Sequence, residues 1–340
     1  MINFGIAGFG LHAVKRLMPG FENSAKCRVT ALSRRDIVKA QQSSREYNIP
    51  NAFSSVKDLC QSDEVDAVLV TSPNSCHLSD VLTAIQHGKP VLCEKPMGMN
   101  AEECRQMVES ANKGKVILGI AQVFRFNDSV RLIRERVAAG RIGRPVFARS
   151  EFSFPVGPAH PRAWINDPVV AGGGPISDVG VHCIDTLRFI LQDEVVRVSA
   201  MGVSDALSGG LEAAATVSLE FSRGTLGTVF VSFRTEYRSP LEIIGENGAL
   251  HSDNGLNVDK PVQVQLRHEW DVAEEVTVSN NLAYAHQVDA FANAVEGKKP
   301  FPITGEEGWK NQLILDAAYR SIKSGKTENV ECVSPIRRTA

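Results

Sequence analysis

The sequence predicts an α/β domain with a parallel sheet covered on both faces, followed by an α+β domain with a large, mainly antiparallel sheet. Three observations lead there. Across residues 1–122, short continuous apolar runs alternate with helical stretches, and strands that are apolar on both sides need cover on both faces. After residue 122 the pattern changes to long alternating runs joined by glycine turns, closed by two helices. A chain of 340 residues also exceeds what one core usually organises, which favours two domains.

Strands are expected at Ile2–Ala7, Arg28–Leu32, Ala67–Thr71, Pro90–Cys93 and Val116–Ile120. Helices fall between them at Leu11–Met18, Ile37–Tyr47, Val56–Gln61, Cys76–His87 and Ala101–Lys113, with Ser75 and Asn100 placed to cap the last two. This is the first domain, 1–122. The second, 123–330, opens with a helix at Ser129–Ala139 stopped by Gly140, a strand at Val146–Phe152 and a loop rich in Pro and Gly from Phe154 to Pro175. Asp178–Ile190 reads as an amphipathic helix. Ala213–Phe221 and Thr225–Arg234 read as a hairpin through Ser222-Arg223-Gly224, and Leu241–Ile244 and Ala249–Ser252 flank a second turn. Helices at Tyr284–Glu296 and Glu306–Ser324 follow, and 331–340 reads as a tail.

Composition narrows the function classes. The formal net charge is -2 and no long run of Lys or Arg occurs, so neither nucleic acid nor an anionic membrane is an expected partner. Met1-Ile2-Asn3-Phe4-Gly5 lacks the charged start of a signal peptide, and no apolar stretch approaches the roughly 18 residues of a membrane span. Seven cysteines (Cys27, Cys60, Cys76, Cys93, Cys104, Cys183, Cys332) are scattered without a C-x-x-C pair. That argues against a disulfide framework and a metal cluster, and for a reducing cytoplasm.

Phe4-Gly5-Ile6-Ala7-Gly8-Phe9-Gly10-Leu11-His12-Ala13 reads as a strand, a tight turn and a helix start. Gly8 permits the turn, Gly10 lets a pyrophosphate approach the backbone, and Ala13 keeps the helix close to the strand. Free amides and the helix dipole favour the anion there, so Gly8, Phe9, Gly10, Leu11 and His12 are expected to line a dinucleotide. The second strand ends Ala31-Leu32-Ser33-Arg34-Arg35-Asp36, with Ser33 where an acid would bind the ribose hydroxyl of NAD. A serine hydroxyl and the guanidinium groups of Arg34 and Arg35 suit a 2′-phosphate, which favours NADP(H) over NAD(H). The competing reading makes the arginines solvated surface charges and Asp36 a helix cap.

Two further groups carry chemistry. Lys95, in Glu94-Lys95-Pro96, follows an apolar strand and so sits at the strand edge where open α/β sheets bind ligands. Gly172-Gly173-Gly174 precedes a helix that carries Asp178 and His182 four residues apart, with Asp185 three further on. The glycines are expected to allow close backbone approach to the nicotinamide end of a cofactor. A carboxylate beside a histidine readies the imidazole as a proton donor, and a lysine near the reacting oxygen takes its developing charge. Taken one at a time, a surface lysine, a core histidine and a capping aspartate explain the same residues.

These motifs together resemble the glucose–fructose oxidoreductase / inositol dehydrogenase / MocA-like family over nearly the whole chain, and within it the NADP-dependent members. The resemblance rests on Gly8-x-Gly10-x-x-Ala13, Thr71-Ser72-Pro73-Asn74-x-x-His77, Glu94-Lys95-Pro96, the string from Gly172 to Asp185, and Thr304-Gly305-Glu306-Glu307-Gly308. It implies a Rossmann domain followed by an α+β domain whose open sheet pairs subunits into a homodimer or homotetramer. It further implies that Lys95 contacts cofactor and substrate, that His182 is the acid/base, and that Asp178 is its partner. Ser72, Pro73, Asn74 and Glu94 would lie at the cofactor, and His77 either binds there or serves the structure. Arg162, Trp164 and Tyr284 are candidates for the substrate, although the arginine stands two residues before the tryptophan rather than beside it. The expected activity is hydride transfer between NADP(H) and a hydroxyl or keto carbon of a sugar, polyol or related small molecule. Glycosidase chemistry through transient oxidation with NAD, and a non-catalytic dinucleotide-binding regulator, are the alternatives.

Overall fold

The structure, a computed structural model, describes residues 1–157, 159–269 and 271–331, with the backbone alone at residue 163. Cys332 and the residues after it, which are all of the expected tail but Glu331, lie outside this range. The chain forms two compact units, each organised on one sheet.

In chain order the first unit contains β1 (Ile2–Ala7), α1 (Met18–Glu22), β2 (Cys27–Ser33), α2 (Ile37–Glu46), β3 (Asn51–Phe53), α3 (Val56–Gln61), β4 (Ala67–Val70), α4 (His77–Gln86), β5 (Val91–Cys93), α5 (Ala101–Gly114) and β6 (Leu118–Ile120). The strands are parallel in the order β3-β2-β1-β4-β5-β6. That order reverses between β1 and β4, and the carboxyl ends of strands at such a switch point are where open α/β sheets bind ligands. Every residue of β4, β5 and β6 is buried, as continuous apolar strands require. β3 escapes sequence detection because it is three half-buried residues at the sheet edge.

Helix boundaries follow local chemistry. Asn100 caps α5 by accepting from Glu103 N–H, and Asp36 caps α2 by accepting from Val38 and Lys39 N–H. Ser75 does not cap: a 3₁₀ turn, Asn74–Cys76, leads into α4, and Cys76 stands at the cap position without a side-chain bond. The first helix runs further than Met18, with residues 11–22 helical. Pro19 lies inside it, lacks an N–H and needs room against the preceding turn. The helix answers with a π turn at Ala13–Leu17, closed by Met18 N–H donating to Ala13 O five residues back.

The second unit contains α6 (Asp128–Ala138), β7 (Pro145–Ser153), α7 (Pro168–Ala171), α8 (Val181–Leu191), β8 (Val195–Val203), β9 (Ala214–Phe221), β10 (Leu226–Ser232), β11 (Leu241–Gly245), β12 (Gly248–Ser252), β13 (Val262–His268) and β14 (Asp271–Val278). The order is β14-β13-β12-β11-β7-β10-β9-β8, with a short strand at Glu328–Asn329 beside β8. Pairing is antiparallel except for β7 with β10. β9 and β10 form the expected hairpin, with Gly224 at φ 88° in its turn. α8 packs on β7 and β10, and α6 packs on β13. β8, β13 and β14 were not expected, because Arg197, Ser199, Gln263, Gln265 and Glu275 on their outward faces and Glu274 on the inner face of β14 blur the apolar alternation.

Two closing helices, α9 (Ala283–Val295) and α10 (Gly305–Ser324), correct the domain boundary. The sequence assigns all of 123–330 to the second domain, yet Tyr284–Gln312 belongs to the first unit. Phe291 of α9 packs against Phe4 of β1 at 6.0 Å and against Phe301 at 5.3 Å. Ile120 N–H donates to Ile303 O at 2.9 Å, which extends the β6 edge. Among the described residues no helix is long and apolar enough to cross a membrane.

Candidate active site

The first unit carries the turn after β1. Gly8 has φ 82°, and a Cβ there would lie 2.6 Å from the Ser72 backbone. Gly8 and Phe9 N–H both donate to Ser33 O, at 3.2 and 3.0 Å, and Thr71 Oγ1 donates to Gly8 O at 2.9 Å. At Gly10 a Cβ would meet nothing nearer than Gly8 O at 3.7 Å. The first bond of the helix is Val14 N–H to Gly10 O at 3.0 Å, so the preceding amides are intrahelical orphans. Open space at Gly10 beside a helix start fits a pyrophosphate. The Phe9 side chain is 2% exposed and packs against Tyr47. Gly8→Ala is expected to lose about 1–2 kcal/mol from φ alone, with a further loss from the Ser72 clash, read as a lower urea midpoint.

At the end of β2, Ser33 is 3% exposed and serves the turn through its carbonyl. Arg34 is half-buried, and its Nη1 donates to Ser43 Oγ at 2.8 Å, while Arg35 is exposed. One guanidinium is thus directed along α2 while the other is solvated.

The loops after β4 and β5 are tied together. Ser72 Oγ donates to Asp80 at 2.6 Å. Lys95-Pro96 is a cis peptide. The two ring nitrogens of His77 lie 2.9 Å from Pro96 O and 2.9 Å from Ser72 O. Burial lowers the pKa of His77 against the pull of both carbonyls. Of the two roles open to His77, its 1% exposure and the main-chain carbonyls beside both nitrogens favour the structural one. Asn74 is also buried. Glu94 is 7% exposed and accepts from His12 Nε2 at 2.9 Å and from Lys95 N–H at 3.2 Å. Burial opposes its ionisation, but the imidazole opposite, its hydrogen bond and Lys95 outweigh burial and hold the carboxyl below its ordinary range. Tyr284 stands in this same unit, with its ring 6.1 Å from that of His12.

The second unit carries the histidine and its neighbours. His182, 6% exposed, packs its ring on Phe124 at 4.4 Å and faces Phe152 at 6.3 Å. The helix before it is not regular. Ile176–Gly180 is a π turn running into α8, so Asp178 and His182 do not stack as i and i+4 do in an α-helix. Asp178 accepts two bonds from Arg162, at 3.2 Å each, and the guanidinium lies 5.8 Å from the centre of the Phe154 ring. Trp164 sits half-buried in a 3₁₀ turn, Ala163–Asn166.

The glycine triplet has another purpose than the expected approach to a cofactor. Gly172 closes α7 in the left-handed region at φ 75°. A Cβ on Gly173 would lie 2.0 Å from Tyr319 Oη, and one on Gly174 would lie 2.1 Å from Glu212 O. Glu212 accepts from Ile176 N–H and from Tyr319 O–H, both at 3.0 Å, and Ser177 bonds Tyr319 at 3.1 Å. Burial pushes the pKa of Glu212 up, against those hydrogen bonds. Asp185 is likewise structural: it is 1% exposed and receives Arg125 at 2.8 and 2.6 Å. Nothing local in the sequence signals Glu212, Tyr319 or Arg125, since each acts across a long separation.

A cavity of about 800 Å³ in the first unit lies elsewhere, between the C-terminal half of α5, the start of β6 and residues 300–306. None of the expected site residues lines it. Among the described residues no cluster of His, Cys, Asp and Glu could hold a metal.

Residues 2–122 match the model of an oxidoreductase family with an NAD-binding Rossmann fold, and residues 130–251 match the GFO/IDH/MocA C-terminal domain. The chain is 32% identical to the 1,5-anhydro-D-fructose reductase of Ensifer adhaerens, over 84% of this chain and 86% of that protein. It is 30% identical to D-xylose 1-dehydrogenase (NADP(+)) 2 of Haloferax volcanii, over 95% and 98%. The solved aldose-aldose oxidoreductase of Caulobacter crescentus, complexed with glycerol, shares the fold with a TM-score of 0.87 at 23% identity, over 96% and 99%. Fold and matches define an NAD(P)-dependent oxidoreductase. The chain belongs to the GFO/IDH/MocA family.

Proposed function

We propose that this chain transfers hydride between NADP(H) and a hydroxyl or keto carbon of a sugar, polyol or related small molecule. The observation that carries the reading is Lys95 at the carboxyl end of β5, its main chain held by Glu94 at 3.2 Å, on the same sheet edge as the open turn at Gly10. The bound dinucleotide supplies or takes the hydride. Gly8, Gly10 and the first turn of the helix hold its pyrophosphate, and Ser72 to Asn74 flank it. In the reducing direction Lys95 stabilises the negative charge that develops on the substrate oxygen. His182 delivers the proton from a ring braced on Phe124. Asp178 is fixed by the Arg162 fork on the turn that leads into the helix of His182. The names of the two relatives, a reductase and a dehydrogenase acting on sugars or their derivatives, support the substrate class.

NADP(H) is preferred because β2 ends in Ser33-Arg34 without an acid, and Arg34 is steered by Ser43. The open face of the second unit's sheet, with Met201 76% exposed and Leu226 55% exposed, supports pairing of copies through that face. The test is a screen of sugars, polyols and dicarbonyls, followed at the nicotinamide absorbance with NADP(H) and NAD(H) side by side. Arg34→Ala is expected to raise KM for the phosphorylated cofactor by roughly tenfold to a hundredfold and to leave KM for NAD(H) nearly unchanged. Equal effects on both cofactors would remove Arg34 from the 2′-phosphate. No turnover across the panel despite tight NADPH binding would overturn the enzymatic reading of the site.

A further inference from the structure

The contact of His12 with Glu94 joins two parts of the first unit that are far apart in sequence. His12 stands in the first turn of the helix that follows the Gly8–Gly10 turn, with its side chain 33% exposed. Glu94 immediately precedes Lys95 and its side chain is 9% exposed. One carboxylate oxygen accepts from His12 Nε2 at 2.9 Å, and the other accepts from the main-chain N–H of Lys95 at 3.2 Å. The carboxylate therefore spans from the dinucleotide helix to the backbone that aims the lysine. A buried carboxylate keeps such a role only while it is paired, because an unpaired one either takes up a proton or turns toward another donor. Either event frees the Lys95 N–H and the direction of its side chain.

We propose that His12 is a positioning residue: through Glu94 it fixes the main chain of Lys95. His12 does not touch the reacting atoms in this scheme. Its donor nitrogen is what matters, and the aromatic ring is replaceable by any side chain that brings a donor to the same point. The carboxamide nitrogen of glutamine reaches about as far as the imidazole Nε2, whereas leucine fills the volume without a donor.

The inference rests on Lys95 acting in the reaction, and the experiment separates the two. His12→Leu, His12→Gln, Glu94→Gln, the double variant His12→Leu with Glu94→Gln, and Lys95→Ala are compared in the full chain. Three quantities are measured: thermal midpoint of the unliganded protein, NADPH dissociation constant from cofactor fluorescence, and kcat and KM with the best carbonyl substrate. His12→Leu is expected to lower kcat by roughly tenfold to a hundredfold, the scale of a small misplacement, while the NADPH dissociation constant moves by less than about threefold. His12→Gln restores most of the loss. In the double variant the effects fall short of the product of the singles, in both kcat and thermal midpoint, because each single substitution removes the same link. Multiplicative losses in kcat with additive changes in the midpoint overturn the link. So does an unchanged kcat in His12→Leu, or an equal loss in His12→Gln. A loss confined to NADPH affinity makes His12 a cofactor contact and overturns the positioning role. If Lys95→Ala retains full turnover, the assignment of Lys95 fails first, and the midpoint cycle alone then reports whether His12 and Glu94 are coupled.

Discussion

Lys95→Ala is expected to lower kcat on the order of a hundredfold to a thousandfold, the usual cost of removing one preorganised donor to a developing oxyanion. The loss belongs in kcat more than in KM, because a charge that grows only along the reaction coordinate is met only in the transition state. His182→Ala is expected to cost about a hundredfold to ten-thousandfold for the same substrates, by removing the proton donor. Both are read as initial rates at the nicotinamide absorbance, with cofactor and substrate saturating. The thermal midpoint separates chemistry from folding. Lys95 is half-buried on a loop, so its truncation is expected to leave the midpoint close to the parent value. His182 fills space against Phe124, so some loss of stability accompanies its truncation. Full activity in either folded variant would withdraw that residue from the mechanism.

The largest expected effect on stability comes from Asp185→Ala, at a position the sequence motif groups with the catalytic residues. Arg125 reaches Asp185 through two short bonds, with side chains 9% and 1% exposed. Arg188 lies 3.9 Å from the same carboxylate and also pairs with Glu194 at 2.8 Å. Removal of Asp185 leaves a buried guanidinium without its counter-charge, which typically costs about 3–5 kcal/mol. The check is a urea titration, and a midpoint equal to that of the parent would refute the assignment. Replacing both partners, Arg125→Met with Asp185→Leu, is expected to recover much of the loss, since an apolar pair of similar volume leaves no uncompensated charge. Activity per folded molecule should stay near the parent in that double variant, because Asp185 is engaged in the interior of the second unit and not with substrate.

Much of the first unit was legible because its signals are local. The turn at Gly8 depends on a single positive φ, the caps at Asp36 and Asn100 on residues two or three positions away, and the buried strands on unbroken apolar runs. The glycine triplet was visible but misread. Gly173 and Gly174 are required by Tyr319 and Glu212, which lie 142 and 36 residues from the helix start they hold. The same limit hid the Arg162 fork on Asp178 and the partner of Asp185, since pairing across folded distance leaves no periodic trace in a sequence. α9 was found as a helix and assigned to the wrong unit, because amphipathicity shows that a face is buried and not what buries it. His77 illustrates the converse: a motif residue is conspicuous in sequence whether it binds a ligand or, as here, lies buried between two main-chain carbonyls.

Among the antiparallel strands of the second sheet, β7 and β10 run side by side in the same direction. Their ends therefore emerge together, and Phe154 N–H donates to Ser232 O while Val156 N–H donates to Phe233 O. The long excursion that begins there is hemmed at its root like a pocket sewn into a seam. Apart from Arg162, which holds Asp178, the length and composition of this stretch can change without shifting the pairing of β7 with β10. The imidazole of His182 is moored to α8 and Phe124, outside the part that drifts. Descendants of such a scaffold could vary this excursion while keeping the strand pairing and the seat of His182 on Phe124 intact.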